Sequence, residues 1–164
     1  MHHIYNFTGD GAGKTTNALG LALRSLGHGH DVIVIQFMKW WPTGEVKFTH
    51  PNYKIYQYGR EGWHGKDSLN DNDKHLARAG LYRAWRCAPF YSLVILDELN
   101  LAVAWGLLKE EAVLEVLDDI VQYTDVVITG RHAPQALLDA AHFINVITST
   151  KAPKEMVSKE GIQY

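Results

Sequence analysis

TGDGAGKTT, Thr8 to Thr16, is the stretch whose reading decides the fold. It stands directly behind the apolar run Ile4 to Phe7 and directly ahead of a segment carrying Leu19, Leu23 and Leu26. That order reads as strand, glycine-rich loop, helix. In such a setting Gly9, Gly11 and Gly13 let the backbone curl until several N–H groups, those at Asp10 and Ala12 among them, face one anion. The amino end of the helix adds its partial positive charge. Lys14 is then expected to reach the phosphates, and Thr15 to offer its hydroxyl to a magnesium ion bridging phosphate oxygens. The nucleotide set is Thr8, Gly9, Asp10, Gly11, Ala12, Gly13, Lys14, Thr15 and Thr16. The strict pattern G-x-x-x-x-G-K-[ST] is missed only at its first position, Thr8. A dinucleotide fingerprint would need a glycine where Lys14 stands, so the loop reads as a triphosphate site. The bland alternative is a glycine-rich turn that does no more than begin a helix.

Outward from the loop, continuous apolar runs that read as buried strands recur at Val32 to Phe37, Leu93 to Leu96, Val126 to Thr129 and Phe143 to Ile147. Helical periodicity lies between them: Ala77, Leu81, Ala84, Trp85 and Ala88 form one stripe, and Val113, Leu114, Leu117, Ile120 and Val121 another. Gly27 and Gly29 suit the end of the helix after Lys14, Pro89 closes the second helix and Pro134 suits the start of a late one. Alternating strands and helices imply right-handed crossovers, giving an α/β fold of the P-loop NTPase kind: a mostly parallel sheet with helices on both faces. At 164 residues and 46% apolar composition, with no linker or repeat, residues 1–164 are expected to form one nucleotide-binding domain. Sixteen basic against eighteen acidic residues give a charge of −2 and argue against a nonspecific nucleic-acid binder. A lone Cys87 and no apolar stretch of membrane-spanning length point to a cytoplasmic, non-membrane protein.

Two further motifs belong at the same sheet edge. SLVILDEL, Ser92 to Leu99, ends a buried strand in Asp97 and Glu98, carboxylates expected to face the loop's metal. Read without the loop, they are two solvated acids at a helix start. DVVITGRHAP, Asp125 to Pro134, places Arg131 beyond another strand, as a phosphate ligand or an ordinary surface cation. Met38 to Asn52 and Gly59 to Asn70 read as irregular substrate loops. They carry Trp40, Trp41 and Trp63, which either stack on a flat ligand or pack the loops onto the sheet. His64 follows Trp63, while the remaining histidines lack ligand spacing. Asp67, Asp71 and Asp73 read as turn and helix-start residues.

These segments together resemble the P-loop ATP:corrinoid adenosyltransferases. TGDGAGKTTNALGLALRSLGHG, VIVIQFMKWWPTGE, VILDEL, VITGR and the ending GIQY follow in that family's order. The resemblance implies transfer of the 5′-deoxyadenosyl group of ATP to the Co(I) centre of a corrinoid, releasing triphosphate. It implies Lys14 and the Gly9 to Gly13 backbone on the triphosphate, with Lys14 and Glu98 as catalytic residues. Magnesium or manganese would be held by Thr15 and Glu98 with Asp97. Trp63, Trp40 and Trp41 are the candidates for the corrinoid. Gln36, Lys39, Glu45 and Arg131 also match family positions. A homodimer and a reductase delivering electrons are the implied partners. Co(I) is itself a nucleophile, which agrees with the lack of an evident Ser–His pair. Ala12 stands where the family commonly has a lysine, and YGREGWHG places Arg60 and Glu61 where aromatics are expected. A P-loop kinase or NTPase, and an ATP-responsive corrinoid-binding module without turnover, are the alternative readings.

Overall fold

The computed structural model describes residues 1–62, 64–153, 155 and 158–163. Trp63 and Tyr164, both used in the sequence reading, lie outside them. The strands are β1 (Ile4–Thr8), β2 (Val32–Phe37), β3 (Tyr53–Tyr58), β4 (Leu93–Asp97), β5 (Asp125–Thr129) and β6 (Phe143–Val146). The helices are α1 (Lys14–Gly27), α2 (Gly44–Lys47), α3 (Asp71–Cys87), α4 (Leu99–Ala104), α5 (Glu110–Ile120) and α6 (Gln135–Asp139). All strand pairings are parallel, in the order β3-β2-β4-β5-β1-β6.

Side chains alternate across the central strands, and each set meets a different helical layer. Ile33, Ile35, Phe37, Val94, Leu96, Val126 and Ile128 join Ala77, Leu81 and Ala84 of α3 and Val113, Leu117 and Ile120 of α5. Val32, Val34, Ile95 and Val127 face Ala18, Ala22 and Leu26 of α1. Covering both faces explains the unbroken aliphatic runs, each buried Ile or Leu contributing about 1.5–3 kcal/mol. The expected punctuation is present. Gly29 is left-handed at φ 79 just past α1, a 3-10 turn at Ala88–Phe90 follows α3, and Pro134 precedes α6.

Three features differ from the sequence reading. Strand β3 was not among the expected strands, because YKIYQY mixes polar and aromatic residues and, on the sheet edge, is only half-buried beyond Tyr53. The irregular Met38 to Asn52 stretch contains the single turn α2. Strand β6 forms where expected but is exposed along its length, because it is the opposite edge and, among the described residues, no helix covers it. Phe143 instead stacks on Tyr5 of β1, with ring centroids 4.8 Å apart. Among the described residues, no helix is long and apolar enough to cross a membrane.

Candidate active site

The carboxyl ends of β1, β2, β4 and β5 converge, and a residue of positive φ leaves each of them at once: Gly9 (φ 96) after β1, Met38 (φ 59) after β2, Glu98 (φ 64) after β4 and Gly130 (φ 135) after β5. Non-glycine residues seldom adopt this backbone, and when held there by their surroundings they cluster at functional sites. The loop after β1 is pressed against the chain leaving β6. The Gly11 N–H donates to Ile147 O at 2.8 Å, and a Cβ on Gly9 would stand 2.4 Å from the same oxygen, so only glycine fits. Lys14 is buried and its Nζ donates to Gly11 O at 2.6 Å, which holds the ammonium inside the loop. Burial, then the charge of Arg131, lowers its pKa below that of an ordinary lysine, against the pull of Glu98, Asp10 and Asp97. A triphosphate would remove that penalty.

Asp97, fully buried, is the hub. Its Oδ1 accepts hydrogen bonds from the hydroxyls of Thr15 (2.8 Å) and Thr129 (2.7 Å), and its Oδ2 from Gln36 Nε2 (3.1 Å) and Lys39 Nζ (2.6 Å). Burial opposes its ionisation. The charge and hydrogen bond of Lys39, with the bonds from Thr129 and Thr15, outweigh burial and keep its carboxyl below the usual aspartate range. Gln57 Nε2 continues the network to Gln36 Oε1 and to the carbonyl of Trp41, fixing the loop after β2. Glu98 differs. Its backbone N–H donates to Thr129 Oγ1, but its buried Oε2 has no partner among the described residues. Burial, then repulsion from Asp97, raises its pKa above the ordinary glutamate value.

An unpartnered buried carboxylate oxygen on Glu98, the neighbour of the Asp97 that takes the Thr15 hydroxyl, is the donor chemistry a hard divalent cation takes. Among the described residues no three His, Cys, Asp or Glu side chains form a metal cage. Magnesium on ATP draws most of its ligands from phosphates and water, so the protein needs to offer only a hydroxyl and a free carboxylate oxygen. The residues present therefore fit the ion.

Two cavities flank this centre. One, of about 270 Å³, is walled by Phe37, Met38, Leu69, Leu101 and Trp105, with Lys39, Glu98, Arg60 and His64 at its polar side. The other, of about 310 Å³, lies between the start of α1, the Trp41 to Glu45 loop and Gly161 to Gln163. Lys39 and Trp41 line both. The family model of the ATP:corrinoid adenosyltransferase BtuR/CobO/CobP matches residues 1–164. The chain belongs to the ATP:corrinoid adenosyltransferase family. Relatives include the corrinoid adenosyltransferase CobA of Salmonella typhimurium, 34% identical over 98% of this chain and 85% of that protein. The corrinoid adenosyltransferase of Escherichia coli is 35% identical over 90% of this chain and 77% of its own. That of Pseudomonas aeruginosa is 35% identical over 88% and 73%.

Of the residues expected in this adenosyltransferase site, Thr8, Gly9, Gly11, Gly13, Lys14, Thr15, Asp97 and Glu98 gather around the loop. Asp10, Ala12, Thr16 and Arg131 lie on its exposed side, and the Thr16 hydroxyl is occupied by Gly13 O at 3.1 Å. Trp41 reaches both cavities. Trp40 lines neither and sets its ring edge-on to Trp41. Trp105, just past α4, lines the apolar cavity and was missed, because nothing in VAWG marks it as a site residue. Asn6 and Asn100 were missed as well. Their buried amides hydrogen-bond reciprocally between β1 and α4, at 2.7 and 3.2 Å, and Asn100 Nδ2 also reaches Gly130 O, locking α4 behind Glu98.

Arg60, out of place as an aromatic substitute, has a mechanical role. Its Nε and Nη2 donate to both oxygens of Asp73, at 3.1 and 3.0 Å, and Asp73 closes the capping box at Asn70 that starts α3. Burial opposes the Asp73 charge, but these bonds and the Asn70 N–H hold its carboxyl below the ordinary value. A group with a depressed folded pKa contributes stability above its unfolded pKa and loses it as pH falls through the folded one. Arg60→Ala is therefore expected to cost about 2 kcal/mol near neutral pH, with the gap to wild type closing below the ordinary aspartate range. Urea melts at both pH values check this, and a gap that persists unchanged in acid refutes it.

Proposed function

We propose that this chain moves the 5′-deoxyadenosyl group of ATP onto the Co(I) centre of a corrinoid and releases inorganic triphosphate. The observation that carries the reading is the apolar, tryptophan-lined cavity beside the phosphate loop, on a chain that matches the adenosyltransferase family from end to end. The cobalt electron pair forms the bond to C5′, and the C5′–O pair leaves on the triphosphate. The chemistry asks the protein for position, water exclusion and stabilisation of the leaving charge. Lys14 and the N–H groups of the Gly9 to Gly13 loop, other than that of Gly11, which Ile147 O takes, hold the triphosphate. Thr15 and Glu98 hold magnesium, which when bound neutralises phosphate charge. Asp97 orients the Thr15 hydroxyl from behind, its own oxygens being engaged. Trp41 and Trp105 supply flat apolar surface to the macrocycle.

Residues 1–164 act as one cytoplasmic nucleotide-binding unit, fed with Co(I) by a separate reductase. A second copy of the chain is the partner suited to the β6 edge, where Phe143, Ile144 and Val146 are 48%, 49% and 65% exposed. Sedimentation with and without ATP tests that pairing, and an active strict monomer overturns it. The function itself is tested by anaerobic incubation with ATP, magnesium and chemically reduced cobalamin. A photolabile cobalt–carbon product together with triphosphate is expected. ADP or phosphate with an unchanged corrinoid would instead establish a kinase or NTPase.

A further inference from the structure

Lys39 follows the left-handed Met38 just past β2. Its ammonium lies 2.6 Å from Asp97 Oδ2 and 3.5 Å from Thr15 Oγ1, with the side chain 19% exposed. A buried ion pair adds little net stability, because desolvation offsets most of the attraction. Asp97 already accepts three hydrogen bonds from neutral donors. Neutralising Asp97 therefore does not account for where Lys39 also reaches: it lines both the apolar cavity and the one against the start of α1, so it stands with Trp41 in the partition between them.

We propose that Lys39 is a catalytic residue that binds the α-phosphate and stabilises the charge released when the C5′–O bond breaks. This rests on the adenosyl-transfer reading above. With the macrocycle in the apolar cavity, the C5′ and α-phosphate end of ATP points toward β2, where Lys39 Nζ lies 3.5 Å from Thr15 Oγ1. Lys14, bonded to Gly11 O, serves the interior of the loop at the other end of the triphosphate. In the step the cobalt pair forms the Co–C5′ bond and cobalt rises from Co(I) to Co(III). The C5′–O pair passes to the α-phosphate oxygen, and no proton moves. Lys39 stays protonated throughout and exchanges part of its contact with Asp97 for the developing oxyanion.

The test uses the full chain with borohydride-reduced cobalamin and MgATP, following single turnovers and, separately, ATP affinity without corrinoid. Lys39→Met is expected to slow the turnover at saturating ATP by about 100-fold or more, the size of effect seen when one oxyanion donor is lost. The ATP Kd should move by less than about fivefold, and Lys39→Arg should recover much of the rate; a lysine that served only as a structural counter-ion would not give this split. Should Lys39→Met fail to fold, the pair Asp97→Asn and Lys39→Met/Asp97→Asn replaces it, and the double variant must still turn over far more slowly than the single. A saturated rate within about threefold of the matched parent, or a loss confined to the ATP Kd, overturns the assignment. A wild type that forms no adenosylated corrinoid and no triphosphate overturns the functional reading itself, and the Lys39 role with it.

Discussion

Lys14→Ala is expected to weaken ATP binding by on the order of 100-fold and to leave the fold intact. Losing one member of a buried charge-assisted contact costs about 2–5 kcal/mol, and each 1.4 kcal/mol is tenfold in affinity. The apo protein should tolerate the change, because the Lys14 ammonium makes one hydrogen bond, to Gly11 O, and its charge is there against the cost of burial. Removing it should even relieve some strain of desolvation, so the melting temperature without nucleotide should hold or rise slightly. Calorimetric titration with ATP and a thermal melt of the same sample read both halves. Undiminished affinity would refute the placement of the triphosphate on this loop.

Asp97→Ala is the most damaging single change expected for stability. It leaves the Lys39 ammonium without its counter-ion and strips an acceptor from Thr15, Thr129 and Gln36 together. Breaking a buried pair from one side costs about 3–5 kcal/mol, a large part of the roughly 5–15 kcal/mol that holds a domain folded. For a chain of this size the melting temperature should fall by about 10 °C. Asp97→Asn, which keeps the shape and one acceptor oxygen, should fall between the two. Differential scanning calorimetry checks the order, and an alanine variant melting within about 2 °C of wild type would show that the hub is not what joins β2, β4, β5 and α1.

What the sequence revealed of this site was whatever is local. TGDGAGKTT carries its whole logic in nine residues, and VILDEL shows a buried strand breaking into acid at its end. The hub itself is not local. Gln57, Gln36 and Asp97 become one polar row only because β3 and β4 flank β2 with Gln36 in register with both. Strand order is a property of the folded sheet that no spacing encodes. The Arg60–Asp73 anchor and the Asn6–Asn100 pair are hidden for the same reason. Strand β6 shows the opposite error: FINV has the composition of a core strand, yet an edge position leaves it open, and composition does not distinguish centre from rim.

The same strand order bears on how the molecule comes into being on the ribosome. Strand β1, second of the six from one end of the sheet, pairs only with segments made much later: Ile4 lies opposite Val126, and Tyr5 opposite Phe143. The nascent β1 segment must therefore wait without its sheet partners while the segments up to β5 and β6 are synthesised, and closing such long loops is slow. The nucleotide loop hangs from that waiting strand and leans on Ile147. ATP consequently has no site on the growing chain and cannot guide its early folding. It can stabilise only the finished sheet, by mass action on the native state, which leaves the exposed first strand to chaperones until the last third of the chain emerges.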